Sequence, residues 1–276
     1  MIFIGYDTLM TLTPTSQSSS ISSDEIVWSA NDLVNDPHAI RDKAERVRRM
    51  FASIADSYDL NNRIHSFGLD QRWRRKTVRL CRVKPTDDVL DVACGTGDLS
   101  EAFADAHPAS VRGLDFTEPM LHIARKKATG RSRSEGMPIP QYIQGDAMAL
   151  PQADRSMDIV SIAFGIRNIA DPVRALCEFR RVLRPGGRLA VLEFSEPANP
   201  LLRSLNRLYT RRIMPCTATL LARDRSGAYR YLPRSVATFH NRESFTHLLN
   251  EAGFETVRLY PLTFGACVVY LAMAKE

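Results

Sequence analysis

Gly95 and Gly97 stand where backbone alone could hold a ligand. In Val89-Leu90-Asp91-Val92-Ala93-Cys94-Gly95-Thr96-Gly97-Asp98 an apolar run ends in these glycines. Leu99 to Ala104 then shows helical spacing of its apolar positions. This is the pattern of a buried strand, a tight turn and a helix start. Glycine lets the main chain approach a bound group closely, and the free N–H groups of the helix start face it. The dinucleotide fingerprint asks for a third glycine at the helix-packing position, where this chain has Ser100, so an ordinary strand-to-helix turn stays open on this motif alone.

Acids at later strand ends narrow the reading. Val111 to Phe116 is a second strand ending in Asp115, placed to hold the two hydroxyls of a ribose. Gln141 to Ala147 is a third, ending in Asp146. Met157 to Phe164 is a fourth, running into Gly165-Ile166-Arg167-Asn168. One such acid is an ordinary solvated loop residue. Two acids and a glycine turn at successive strand ends converge on one rim, where ligands of parallel sheets bind.

The elements that must position these residues alternate. Pro172 to Leu183 reads as a helix with Pro at its start, stopped by the turn Arg184-Pro185-Gly186-Gly187. Arg188 to Phe194 is a fifth strand. Strand and helix in alternation mean a parallel sheet with helices on both faces, an α/β fold. Ahead of the glycine turn, a charged helix over 40–50 and two helices around a polar elbow are expected. Tyr58, Asp59 and Asn62 cluster within about one helical turn there, and helix capping would account for them equally well. The tail is expected to carry an arginine-bearing helix over 199–214, the run Arg223, Arg225, Tyr229, Arg230 and Tyr231, a helix over 244–252 and a closing β-hairpin. Residues 1–40 read as a disordered extension, because the Ser/Thr-rich stretch 11–24 cannot bury enough surface to offset its ordering entropy. Residues 41–276 then form one domain.

Composition sets limits. The chain has 276 residues, 44% of them hydrophobic, which allows a sizeable core. No apolar run approaches the ~20 residues of a membrane-spanning helix, and the start lacks the basic region of a secretory signal. Five scattered cysteines show no metal-ligand spacing, so no metal is expected and a reduced cytoplasmic compartment fits. A net charge of +6 suits a solvated basic surface, an anionic membrane or a nucleic acid. The Leu201, Leu202, Leu205 and Leu208 face, with Arg203, Arg207, Arg211 and Arg212 around it, leads us to expect membrane contact; a core-packed amphipathic helix is the plainer account.

Asp91 to Asp98, Gly113-Leu114-Asp115-Phe116, Gln144-Gly145-Asp146-Ala147 and Leu183-Arg184-Pro185-Gly186-Gly187-Arg188 together resemble class I S-adenosylmethionine-dependent methyltransferases. Phe164-Gly165-Ile166-Arg167-Asn168, Tyr58-Asp59-x-x-Asn62, Tyr229-Arg230-Tyr231-Leu232 and Ala252-Gly253-Phe254 resemble the ubiquinone/menaquinone biosynthesis C-methyltransferase family. The resemblance spans about residues 43 to 275. It implies a Rossmann-like, mostly parallel seven-stranded sheet, with helices 41–80 over the active site and 195–240 as a substrate- and membrane-facing insertion. It also implies S-adenosylmethionine as methyl donor, contacted at Asp91, Gly95, Thr96, Gly97, Asp115, Phe116, Asp146 and Ala147. Asp115 would take the ribose, Asp146 the adenine amino group, and Asp91 would organise the glycine turn. Many members carry Ser where this chain has Ala163, so a side-chain hydrogen bond is lost there.

The implied reaction is C-methylation of a polyprenylated hydroquinone, demethylmenaquinol foremost, with the 2-methoxy-6-polyprenyl-benzoquinol step of ubiquinone synthesis beside it. A phenol of pKa ~10 needs a base or a cation to yield the nucleophilic ring carbon near neutrality. Asp59 is the expected base or its partner, with His65 second. Arg167 is the expected phenolate stabiliser, unless it is a buried arginine paired with a carboxylate. Tyr58, Asn62, Asn168 and Tyr231 would orient the ring. The implied location is the cytoplasmic side of the inner membrane; nucleic acid is not an expected partner, and a homodimer stays open. Two other readings remain: a class I methyltransferase for another small aromatic or lipid, and a non-catalytic cofactor-binding scaffold in a biosynthetic complex.

Overall fold

In the computed structural model, residues 27–29, 31–34, 36–214, 217 and 226–275 are described. Seven strands form one sheet in the order β3-β2-β1-β4-β5-β7-β6. They are β1 (Asp88–Val92), β2 (Ser110–Asp115), β3 (Gln141–Gln144), β4 (Met157–Ala163), β5 (Leu183–Phe194), β6 (Phe254–Leu262) and β7 (Cys267–Ala274). The first five pair in parallel; β7 runs antiparallel between β5 and β6. Central strands are covered on both faces, which is why their sequences are continuous apolar runs rather than alternating ones. The edges are short or interrupted. β3 has four residues, and β6 slips register between Glu255 and Arg258, features that discourage edge-to-edge pairing.

On one face, α2 (Leu69–Cys81) and α3 (Asp98–Ala104) press Val78, Leu99 and Phe103 onto Val89, Val111 and Ile159. On that side α4 (Glu118–Gly130) packs Leu121, Ala124 and Ala128 around Tyr142 of β3. On the other face, α5 (Pro172–Val182) sets Leu176 and Phe179, and the helix Arg242–Glu251 sets Phe245 and Leu249, against Val160, Ile162 and Val191. The remaining helices are α1 (Lys43–His65), α6 (Pro200–Leu208) and α7 (Ala228–Thr238), so Arg242–Glu251 is α8. α1 joins α4 and α7 through Met50, Ile54, Met120 and Tyr231. It thereby roofs the rim where β1 and β4 end.

Four expectations need correction. The charged segment 40–50 and the polar elbow are one 23-residue helix, α1, and the turn falls at Phe67 and Gly68, which have positive φ. The Arg184–Gly187 turn is carried as a bulge inside β5: Leu183 pairs with Met157, then the register jumps to Arg188 opposite Ile159. The arginine-bearing helix ends as α at Leu208 and continues as a π-helical turn, Tyr209–Ile213. The extension boundary at 40 is set too late. Residues 1–26 lie outside the described residues, but Val27 and Trp28 are buried at 6% and 0% exposure in the α1–α7 core. Two apolar residues at 27–28, followed by charges, were too few to register as a pattern. Arg223 and Arg225 also lie outside the described residues.

Candidate active site

Two cavities meet on the rim beyond β1 and β4, the point where strand order reverses. With the solvent open to them they enclose about 820 and 1420 Å³. Phe51, Tyr58 and Phe164 line both, so they form the shared wall. Ala93 and Phe164, just past the two strands, hold positive φ of 50° and 57°. Such strain in side-chain-bearing residues concentrates at functional sites.

The smaller cavity is lined by Gly95, Asp115, Phe116, Asp146 and Ala147. Asp115 Oδ2 accepts the Gly95 N–H at 2.8 Å and Oδ1 the Thr117 N–H at 2.8 Å. A carboxylate has about four lone-pair sites, so each oxygen keeps one for a hydroxyl of a vicinal diol. Burial pushes the Asp115 carboxyl above its ordinary range. Asp146 Oδ1 accepts the Met148 N–H at 2.8 Å, which fixes its direction. The acid pair, the glycine turn and the half-exposed Phe116 ring fit a nucleoside.

Three expected cofactor contacts stand behind this wall instead. Asp91, 1% exposed, takes the Ser100 hydroxyl at 2.7 Å and the Ser161 hydroxyl at 2.8 Å, tying α3 and β4 to β1 beneath the turn. Desolvation lifts its pKa to about 6. Gly97 has φ 83° and backs onto Tyr142; a Cβ there would sit 2.3 Å from the Tyr142 hydroxyl oxygen. Thr96 turns its hydroxyl away to Asp59 Oδ1 at 2.6 Å.

The larger cavity is lined by Tyr58, Asn62, Arg167 and Tyr231 among apolar residues such as Met50, Ile54, Met214 and Leu232. Tyr58 and Asn62 are four apart on α1 and so share its face. Burial raises the Tyr58 hydroxyl pKa. Asp59, one position on, is rotated about 100° away. Its oxygens go to Thr96 and, at 2.9 Å, to Lys127 of α4. Asp59 therefore lies in neither lining; it ties α1 to the glycine turn. Lys127 also reaches Asp98 at 2.5 Å, and Arg63 meets the other Asp98 oxygen at 2.7 Å. Arg74, Lys127 and Arg63 overcome the burial of Asp98 and hold its pKa at about 2. His65 lines the larger cavity, but its ring nitrogens pair with the Asn61 carbonyl and the Thr217 hydroxyl, each at 2.9 Å.

Arg167 is 4% exposed. Its Nη1 donates to the Phe164 carbonyl and to Glu193 Oε1, both at 2.7 Å, and its Cζ lies 5.3 Å from the Phe194 ring centroid. Glu193 is 3% exposed, also accepts the Phe194 N–H at 2.8 Å, and among the described residues leaves Oε2 with no partner. Burial raises its pKa against the pull of Arg167. Asn168 lines the smaller cavity, donates to the Phe164 carbonyl at 3.2 Å and accepts the Tyr231 hydroxyl at 3.0 Å. Sequence reading missed Glu193, Lys127 and Trp28. Glu193 carried a signal: an acid ending a strand whose preceding residues, Leu189 to Leu192, are all apolar.

A seven-stranded sheet with this antiparallel strand insertion, and a nucleoside-shaped acid pair over a glycine turn, define a class I S-adenosylmethionine-dependent methyltransferase. Solved methyltransferases described as S-adenosylmethionine-dependent share the fold. One from Aquifex aeolicus has a TM-score of 0.56 at 18% identity, covering 81% of this chain and 98% of that one. Another, from Thermotoga maritima, has 0.58 at 21%, covering 83% and 100%. A sequence model of the ubiE/COQ5 methyltransferase family matches residues 39–274, and the chain belongs to that family. It is 45% identical to the demethylmenaquinone methyltransferase of Thermus thermophilus, covering 80% of this chain and 98% of the relative. It is 40% identical to the ubiquinone/menaquinone biosynthesis C-methyltransferase UbiE of a Geobacter species, covering 85% and 98%.

Proposed function

We propose that the chain methylates a ring carbon of demethylmenaquinol, giving menaquinol. The observation that carries this reading is the shared wall: a nucleoside-fitting cavity and a largely apolar one meet at Phe51, Tyr58 and Phe164. The name and 45% identity of the Thermus relative favour the menaquinone precursor. The Geobacter relative's name supports a second acceptor, the ubiquinone-type benzoquinol.

S-Adenosylmethionine, when bound, supplies a methyl group on a sulfonium. Asp115 would hold its ribose, Asp146 its adenine, and the Gly95 backbone would lie alongside. Arg167, beside the ring oxygen, would favour the phenolate and so raise electron density on the neighbouring carbon. Tyr58 and Asn62 would orient that oxygen, while Tyr231 and Asn168 fix the opposite wall. Transfer needs the carbon about 3–3.5 Å from the methyl, in line with the sulfur. Asp59 acts here on the glycine turn, not on the acceptor. The test is quinone profiling of a strain lacking its own enzyme and carrying this chain. Methylated quinone is the expected product; persistent demethylated precursor overturns the reading.

We further propose that α6 touches the membrane surface from which the acceptor enters. Leu201, Leu205 and Leu208 fall on one face and are 68%, 56% and 54% exposed, and no residue of α6 is buried. Asn206 and Arg207 of the same helix line the larger cavity. Phe67, 77% exposed, lies 5.8 Å from the Tyr209 ring at the same mouth. Among the described residues no helix is long and apolar enough to cross a membrane.

A further inference from the structure

Val27 and Trp28 precede the family-matched region, which begins at residue 39, yet they sit inside the core. Both of their N–H groups donate to the Ser226 carbonyl, at 3.0 and 2.9 Å. The Arg46 guanidinium donates to the Val27 carbonyl at 3.2 Å and lies 5.7 Å from the Trp28 ring centroid. The residue after Ser226, Gly227, has φ 87°, and a Cβ there would stand 2.3 Å from the Trp28 carbonyl oxygen. Only glycine lets the segment approach the start of α7 this closely. A short strap is thus fastened across α1 and α7, the two helices that enclose the larger cavity.

The Trp28 ring is fully buried and stacks on Tyr231 with centroids 4.5 Å apart and planes at 26°. The Tyr231 hydroxyl donates to Asn168 Oδ1 at 3.0 Å. Asn168 in turn donates to the Phe164 carbonyl, which also receives Arg167. Trp28 reaches no cavity itself. It stacks on one ring of the larger cavity's lining, Tyr231, and that ring is hydrogen-bonded to the Phe164–Asn168 turn.

We propose that Trp28 is a positioning residue for the acceptor: it clamps the Tyr231 ring and, through the Tyr231 hydroxyl, the Asn168 amide on the cavity wall. This rests on the reading of the larger cavity as the acceptor site. Among the described residues Trp28 Nε1 has no hydrogen-bond partner, so the flat apolar ring is what the position uses. Phenylalanine is then the conservative replacement and alanine the disruptive one.

The test uses the full chain, with demethylmenaquinol varied at saturating S-adenosylmethionine, and S-adenosylhomocysteine affinity measured by calorimetry. Trp28→Ala should lower kcat/KM for the quinol by roughly 10-fold or more, as a displaced wall of under about 1 Å would. Affinity for S-adenosylhomocysteine should fall less than kcat/KM for the quinol, since Asn168, the smaller-cavity residue that Trp28 reaches through Tyr231, is also held by the Phe164 carbonyl. Trp28→Phe should recover most of the loss. Because the effect travels through the Tyr231 ring, Trp28→Ala combined with Tyr231→Ala should be no worse than Tyr231→Ala alone. Parent-like kinetics in Trp28→Ala, or losses that multiply in the double variant, overturn the proposal. If the parent chain leaves the quinol unmethylated, the functional reading falls instead. Amide exchange then decides the strap: faster exchange confined to α7 in Trp28→Ala but not in Trp28→Phe upholds it, and unchanged exchange overturns it.

Discussion

Replacing Arg167 separates what the arginine does for the fold from what it does for the acceptor. Arg167 and Glu193 are 4% and 3% exposed and meet at 2.7 Å. Deleting one partner of such a buried pair costs about 3–5 kcal/mol, because the other charge is left in the interior. Here the loss has a concrete site: among the described residues Glu193 Oε2 has no partner, and Oε1 would lose its guanidinium. We therefore expect Arg167→Met to lose about 3–5 kcal/mol in urea melts. Removing a preorganised donor at a developing oxyanion costs ~10²–10³ in turnover. The same variant should show that loss in single-turnover methylation, with S-adenosylhomocysteine affinity unchanged. Adding Glu193→Gln removes the stranded charge, so Arg167→Met with Glu193→Gln should regain most of the stability and none of the turnover. A double variant that regains both would refute the reasoning, leaving Arg167 a structural residue that serves to neutralise Glu193.

Asp115→Ala should weaken S-adenosylhomocysteine binding by on the order of 2–4 kcal/mol, since each charge-assisted hydrogen bond is worth ~1.5–3; unchanged calorimetric affinity in a folded variant would exclude Asp115 from the ribose. Asp91 gives a pH signature. Its folded pKa of about 6 stands above the ordinary 3.8, so the folded state holds the proton more tightly than the unfolded chain. Stability should fall by about 2 kcal/mol as pH rises from 4 to 6. Asp98, held at about 2, has the opposite sign, but its contribution is complete above pH 4 and lost only toward pH 2. Urea melts across that range should show the Asp91 slope in the parent and not in Asp91→Asn; equal slopes would refute it. Leu205→Glu should reduce pelleting with anionic vesicles at low salt, and identical co-sedimentation would remove α6 from the membrane surface.

The parts legible in the sequence are those whose signal is local. β1, β4 and β5 announce themselves because strands buried on both faces must be largely apolar, and β2 and β3 because each short run leads into an acid, Asp115 and Asp146. The bulge at Arg184–Gly187 was legible as a turn but not as one inside a strand, because pairing of Leu183 with Met157 depends on a neighbour far off in sequence. α1 was read as separate pieces since its polar residues, Ser53, Asp56, Ser57 and Asp59, look like a loop until their partners are seen. Ser53 and Ser57 donate back to the Met50 and Ile54 carbonyls within the helix, and Asp59 meets Lys127 sixty-eight residues on.

The same distinction explains the misplacement of Asp59. A spacing of one and four places Tyr58 and Asn62 together, but says nothing of which way the helix is rolled. That roll is set by Met50, Ile54 and Ala55 packing on Met120, Tyr229 and Tyr231. Once those apolar residues face the core, Tyr58 and Asn62 face the larger cavity and Asp59 must face α4. There Lys127 and the Thr96 hydroxyl receive it, and Lys127 passes on to Asp98 and Arg63. The acidic residue beside the tyrosine thus joins the roof helix to the glycine turn, and the buried arginine that we propose for the acceptor chemistry takes its carboxylate partner from β5.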